Sequence, residues 1–269
     1  MPFERKSELL RLENVNFMLV LRADFEGASF CKKVRFFATR FSAIIGGFFM
    51  PKTQVKSKQR VADHGEVFTA EREVKAMCDL VKSETERIDS RFLEPACGEG
   101  AFLTEILRRK LDVVKTHYGA NPSDYERYAV LAMTSLYGVD ILEDNVEVCR
   151  QKLYEMWNDE YTANAKKQAS DECRNTVKYI LRKNILCGDA LTMLQSDGKP
   201  IIFAEWNIVT DDQIKRRDYA LNELLCGNGP VRTPFMYGWI YDDEVKALIP
   251  APVREYPVTD YRSLAYYEQ

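Results

Sequence analysis

The run Phe92-Leu93-Glu94-Pro95-Ala96-Cys97-Gly98-Glu99-Gly100-Ala101-Phe102 decides the fold. It starts as a short apolar strand that closes on an acid. It ends by opening a helix with Phe102, Leu103, Ile106 and Leu107 on one face. Between the two, Gly98 and Gly100 permit a tight turn and let a ligand approach the backbone, where the unpaired N–H groups of a helix start are found. A lone Gly-x-Gly turn is common in βα units, so the flanking sequence carries the weight.

Upstream, Val74, Met77, Cys78 and Val81 recur at i, i+3, i+4 and i+7, which predicts a helix with Thr69 at its N-cap and Glu71 and Glu73 in its first turn. Downstream, strands are expected at 135–140, 184–187 and 200–206, with further helical stretches at 108–134, from Val146 to Trp157, and at 212–225. Residues 158–176 read as a helix end plus loop, and the Gly-, Pro- and Tyr-rich tail after Cys226 reads as irregular. Strands alternating with helices predict an α/β fold: a mainly parallel sheet with helices on both faces. Ligands of such sheets settle at the carboxyl ends of the strands. Three strands deliver groups there: Glu94 with its Gly-rich turn, Gly138-Val139-Asp140-Ile141, and Cys187-Gly188-Asp189-Ala190. A carboxylate at 140 can accept from both hydroxyls of a ribose, and one at 189 from an exocyclic amine.

The 269 residues, 46% hydrophobic and 29% charged, suit one sizeable domain, here 51–225, with a tail at 226–269. Residues 1 to about 50 read either as an extension upstream of a natural start at Met50 or as a subdomain packed on the core. Seven scattered cysteines without a Cys-x-x-Cys pair fit reduced thiols in a cytoplasmic protein, and two unrelated histidines make a zinc site unexpected. No apolar run approaches the roughly 20 residues that span a bilayer, and Glu4, Glu8 and Glu13 argue against a signal peptide. The net charge of -3 neither demands nor excludes a polyanion, because phosphates are met by local patches of Lys and Arg.

The string FLEPACGEGAFL resembles motif I of the amino-methyltransferases, in particular the N6-adenine DNA methyltransferases of restriction-modification systems. HGEVFTAERE (residues 64–73) resembles their motif X, and YGVDI and CGDAL resemble motifs II and III, so the likeness covers about residues 64–191 in the family's order. It implies a Rossmann-like methyltransferase fold that binds S-adenosylmethionine (SAM). By the same likeness Phe68 and Thr69 touch the cofactor, while Glu94, Ala96, Cys97, Gly98 and Gly100 surround its methionine part. Asp140 holds the ribose, Ile141 packs on the adenine, and Asp189 with Ala190 reads the adenine amine. Two departures stand out: Ala70 replaces a usual proline, and the gap between motifs I and II implies an insertion around 112–130.

The catalytic motif of that family, Asp/Asn/Ser-Pro-Pro-aromatic after the fourth strand, is missing. The corresponding stretch reads Ile201-Ile202-Phe203-Ala204-Glu205-Trp206-Asn207, where Glu205 and Asn207 could accept from an amine and Trp206 could stack. Asn121-Pro122-Ser123 lies before motif II and is not a substitute. Little chain remains beyond the fourth strand for recognising DNA, so the resemblance implies a partner subunit that supplies target recognition. The competing expectation is a catalytically silent SAM-binding module, and a third is a methyltransferase for RNA or protein.

Overall fold

The computed structural model describes residues 18–21, 34–37, 56–57, 59–60, 66, 69–210, 212–226, 239–242 and 247–266. Two strands, β1 (Met18–Leu21) and β2 (Val34–Phe37), precede the central β3 (Arg91–Glu94), β4 (Leu136–Asp140) and β5 (Ile185–Cys187). These five form one sheet in the order β2-β1-β3-β4-β5. The parallel part is β3-β4-β5, with Glu94 opposite Gly138 and Asp140 opposite Cys187, whereas β1 runs antiparallel to both β2 and β3. The fold is thus mixed α/β around a three-stranded parallel centre, not an extended parallel sheet.

Helices α1 (Glu71–Leu80) and α2 (Lys82–Thr85) precede β3, and α3 (Ala101–Tyr118) follows it. One sheet face looks onto α3, where Leu103, Ile106 and Leu107 are completely buried, as their spacing predicts. Beside α3 runs α5 (Glu143–Ala165), after α4 (Pro122–Thr134). Gly100 sits at φ +83°, and a Cβ there would stand 2.6 Å from Cys149 Sγ on α5, so the approach needs glycine.

The expected insertion around 112–130 is helical: α3 runs to Tyr118, Asn121 caps Ser123 N–H at 3.1 Å, and Pro122 opens α4. The loop expected at 158–176 is mostly helix as well. There α5 continues to Ala165, and α6 (Asp171–Asn184) begins after Ser170, whose hydroxyl accepts from Cys173 N–H at 3.2 Å. Polar residues on the outer faces hide an apolar inner row of Trp157, Tyr161, Cys173, Val177 and Ile180, all completely buried.

The opposite sheet face departs most from expectation. Instead of a fourth parallel strand, β6 (Ile202–Thr210) pairs antiparallel with β7 (Gln213–Ala220), and this hairpin lies across the face that carries Arg91 and Tyr137. Tyr137 donates its hydroxyl to Ala204 O at 2.9 Å and meets Phe203 edge-on at 5.3 Å, while α6 packs Tyr179 against Trp206. The helix expected at 212–225 is therefore β7 followed by the short α7 (Leu221–Cys226). Burial along β7 alternates, with Ile214, Arg216 and Asp218 inward and Lys215 and Arg217 partly exposed, which is the period of a strand. Arg216 and Asp218 pair with each other at 2.7 Å, so both charges are buried and neutralised.

The tail after Cys226 also carries strands. Trp239–Asp242 (β8) pairs with Ala247–Pro250 (β9), and β10 (Arg254–Glu255) and β11 (Thr259–Asp260) both add to β7. Tyr261 and Arg262 then bond Glu126 of α4, each at 2.7 Å, while Thr176 of α6 donates to Tyr261 O. These pairings use the free backbone edge of β7, a partner that no local pattern in the tail announces. No helix among the described residues is long and apolar enough to cross a membrane.

Under the amino ends of β3 and β4, Lys110 is completely buried and donates to Ile88 O (3.1 Å), Ser90 O and Ser135 Oγ (2.5 Å). Burial pushes its pKa down to about 7, against about 10.4 in an unfolded chain. The unfolded state binds the extra proton between those values, so Lys110 makes the fold more stable as pH rises from about 7 towards 10. Urea midpoints across that range should therefore climb less steeply for Lys110→Met than for the wild type. Parallel pH profiles would refute this account of Lys110.

Candidate functional site

The carboxyl ends of β3, β4 and β5 bring Glu94, Asp140 and Asp189 onto neighbouring strand exits. Strands about 4.8 Å apart make three adjacent exits span about 10 Å, the scale of a nucleoside. Asp140 is the hinge of this region. Its Oδ2 accepts from Gly98 N–H at 2.8 Å, and its Oδ1 accepts from Leu142 N–H at 3.0 Å and Asn145 Nδ2 at 3.3 Å. One carboxylate thus fastens the glycine turn, the β4 exit and the first turn of α5. Among the described residues Oδ2 has a single donor, and a carboxylate oxygen can accept another.

Glu94 differs from Asp140 in that no well-formed hydrogen bond reaches its carboxylate among the described residues. It is 2% exposed, and neither carboxylate oxygen has a hydrogen-bond partner among the described residues. Desolvation raises its pKa well above the ordinary carboxylate range, opposed by the Ala96 N–H and reinforced by nearby Cys149 and Asp140. A buried carboxyl without a partner costs stability, and a cationic ligand group beside it would remove that cost.

The remaining residues of the turn have mixed settings. Ala96 is exposed; Cys97 is buried and its N–H donates to Val139 O at 2.9 Å; Gly98 takes φ +50°. The Cys97 thiol lies against that of Cys149, which with burial holds its pKa well above the usual thiol value. Ile141 is 51% exposed at the β4 exit, an apolar side chain free to cover a ring. Asp189 is half-buried; its Oδ1 accepts from Leu191 N–H at 2.8 Å, and Ala190 beside it packs on the core.

Thr69 is half-buried, one residue ahead of the N-cap, which is Ala70. Ala70 has φ −66°, a value proline shares, yet its N–H donates to Glu73 Oε2 at 3.0 Å, a bond proline would forfeit. Phe68 lies outside the described residues.

Sequence reasoning missed a polar network over this end of the sheet. Asn145 donates to Glu66 Oε1 at 2.7 Å, and Arg60 grips Glu66 at 2.6 and 2.8 Å while reaching Asp144 at 2.8 Å. Lys56 contacts Glu99 at 2.8 Å and Asn145 Oδ1 at 2.8 Å. These bonds hold Glu66 below the usual carboxylate range, with Arg60 the main cause. The signal lay in the basic stretch before residue 60 and in Glu66 within the motif X-like string, although nothing local named Asn145 as their partner.

The three catalytic candidates do not join this site. Strand β6 begins near the β5 exit, where Ile201 N–H donates to Met193 O, and runs towards the amino ends of the parallel strands. There Glu205 accepts from Arg91 at 3.0 Å, Asn207 accepts from the same guanidinium at 3.2 Å, and Trp206 donates to Asn184 at 2.9 Å. Glu205 and Trp206 are 2% and 3% exposed. All three are engaged at the far end of the sheet because β6 folds antiparallel across its face.

Because its folded pKa is raised, Glu94 stabilises the fold relative to an ordinary carboxyl only while protonated, and that advantage is lost as pH climbs through the folded value. Without ligand, Glu94→Gln should therefore match the wild type near pH 5 and exceed it near pH 8 by about 1–3 kcal/mol, read from melting curves. A variant less stable than wild type at both values would show that Glu94 has a structural partner. No family model, curated protein or solved structure matches this chain, so the function rests on the site itself.

Proposed function

We propose that this chain binds SAM at the carboxyl ends of β3–β5 and serves as the cofactor-binding component of a DNA methyltransferase of the adenine-N6 type. The observation that carries the reading is Glu94, a buried carboxyl with no well-formed hydrogen bond among the described residues. It sits in the stretch of motif I where the resemblance puts the cofactor's amino group. The neighbouring groups fit the rest of the molecule: Asp140 Oδ2 retains acceptor capacity for ribose hydroxyls, Ile141 offers an exposed apolar surface, and Asp189 stands at the next exit.

SAM, when bound, supplies an electrophilic methyl group on a sulfonium. This chain's residues bind and orient. Glu94 ionises as it pairs with the cationic amine, Asp140 fixes the ribose while keeping the glycine turn closed, and Ile141 shields the ring from water. Proton balance follows: burial disfavours the charged form of Glu94, and pairing with a cation favours it, so binding releases protons and should tighten as pH rises.

Acceptor-side chemistry needs polar groups around the amine of a flipped base. In this chain Glu205, Trp206 and Asn207 are engaged with Arg91 and Asn184. That favours a partner chain that completes the enzyme. It equally favours the second reading, a silent SAM-binding module that regulates or scaffolds a modification system.

Saturating SAM at a hundredfold over Kd should stabilise the fold by about 2.7 kcal/mol, roughly 5–10 °C in Tm. An unchanged melting curve would end the assignment. Asp140→Ala should melt lower even without ligand, since Gly98 and Leu142 lose their acceptor, and should show almost no further shift with SAM. Transfer of labelled methyl groups to DNA, assayed with and without proteins from the source cells, separates the two readings. Incorporation that needs those proteins supports the partner-dependent enzyme, and none in either arm supports the silent module.

A further inference from the structure

A second surface lies at the amino ends of the strands, remote from Glu94 and Asp140. Lys178 and Arg182 stand one helical turn apart on the exposed side of α6. Lys178 lies over the Tyr154 ring at 4.7 Å, and Arg182 and Lys183 approach the Tyr179 ring at 6.0 and 5.4 Å. From Tyr179 the cluster continues through Arg216, 5.7 Å from that ring and 4.2 Å from Tyr256, to the exposed Arg254 over the other part of Tyr256 at 4.6 Å.

The charge balance of this patch is uneven. Arg216 is neutralised by Asp218, and the nearby Lys215 and Arg217 pair with Glu255. Lys178, Arg182 and Arg254 have no acidic partner among the described residues, in a chain whose net charge is -3. Aromatic rings hold these cations in place at little further entropic cost, which lets them meet fixed phosphates.

We infer that this face, Lys178 and Arg182 of α6 with Arg254 of β10, docks the phosphate backbone of duplex nucleic acid. Duplex is favoured over single strand because Tyr179 is buried, and the half-buried Tyr154 and Tyr256 rings already carry Lys178 and the pair Arg216 and Arg254, which leaves little open face to stack on a base. Contacts of this kind are sequence-independent and add affinity through counterion release. The inference names a partner surface for the proposed methyltransferase component, yet it is read without SAM, so it stands or fails separately from the cofactor site.

The test is fluorescence anisotropy of a labelled 20-base-pair DNA with the full chain, across about 50–200 mM salt and without SAM. The wild type should bind at low salt with a steep salt dependence. Lys178→Glu/Arg182→Glu should bind at least about tenfold more weakly and reduce the slope of log K against log salt by about 2. If charge reversal perturbs the fold, judged by circular dichroism, Lys178→Gln/Arg182→Gln replaces it, with the same direction of change. Several results would overturn the inference: no binding by the wild type at low salt, unchanged affinity in a folded variant, tenfold preference for the single strand, or lower Tm with unchanged affinity. The last would mark Arg182 and Lys183 as mere partners of the α6 carboxyl-terminal dipole.

Discussion

The carboxylate of Asp140 is the constraint on which this end of the molecule depends. Three donors from three places in the chain converge on it: the glycine turn after β3, the backbone after β4, and Asn145 in the first turn of α5. Through Asn145 the network extends to Glu66, Arg60 and Lys56, so these three residues ahead of α1 are held to the same point. A half-buried acid with several donors is a strong anchor because each N–H would otherwise lose its water without compensation.

Beside that satisfied acid stands an unsatisfied one. Glu94 is buried near Cys97 and Cys149, and neither of its oxygens has a well-formed hydrogen bond among the described residues. Burial raises its pKa well above the ordinary carboxylate range, which favours the neutral form. The contrast between a tied Asp140 and a Glu94 without such donors, on neighbouring strands, is what supports the proposal of a ligand with a cationic group at the strand ends.

The other sheet face obeys a different logic. Its hairpin is held by a buried polar series: Arg91 to Glu205 and Asn207, Trp206 to Asn184, and Tyr137 to Ala204. Each bond satisfies a group that would be costly if left alone, and together they fix β6 in the antiparallel direction. The same bonds hold Glu205, Trp206 and Asn207 away from the carboxyl ends of β3–β5. Architecture on one face thereby decides what chemistry is open on the other.

What the sequence by itself determined was local: the apolar strand of residues 91–94, the glycine turn, the helix face of Leu103, Ile106 and Leu107, and the acids at 94, 140 and 189 on successive strand exits. Those are legible because strand, turn and helix periods act over a few residues. Only the tertiary structure decided that residues 202–220 form a hairpin across the sheet, that the tail pairs with β7, and that Lys56, Arg60, Glu66 and Asn145 share one network. Asn145 stands 79 and 89 residues from Glu66 and Lys56, and Arg91 stands 114 from Glu205; a polar side chain shows no trace in the sequence of which distant group will satisfy it.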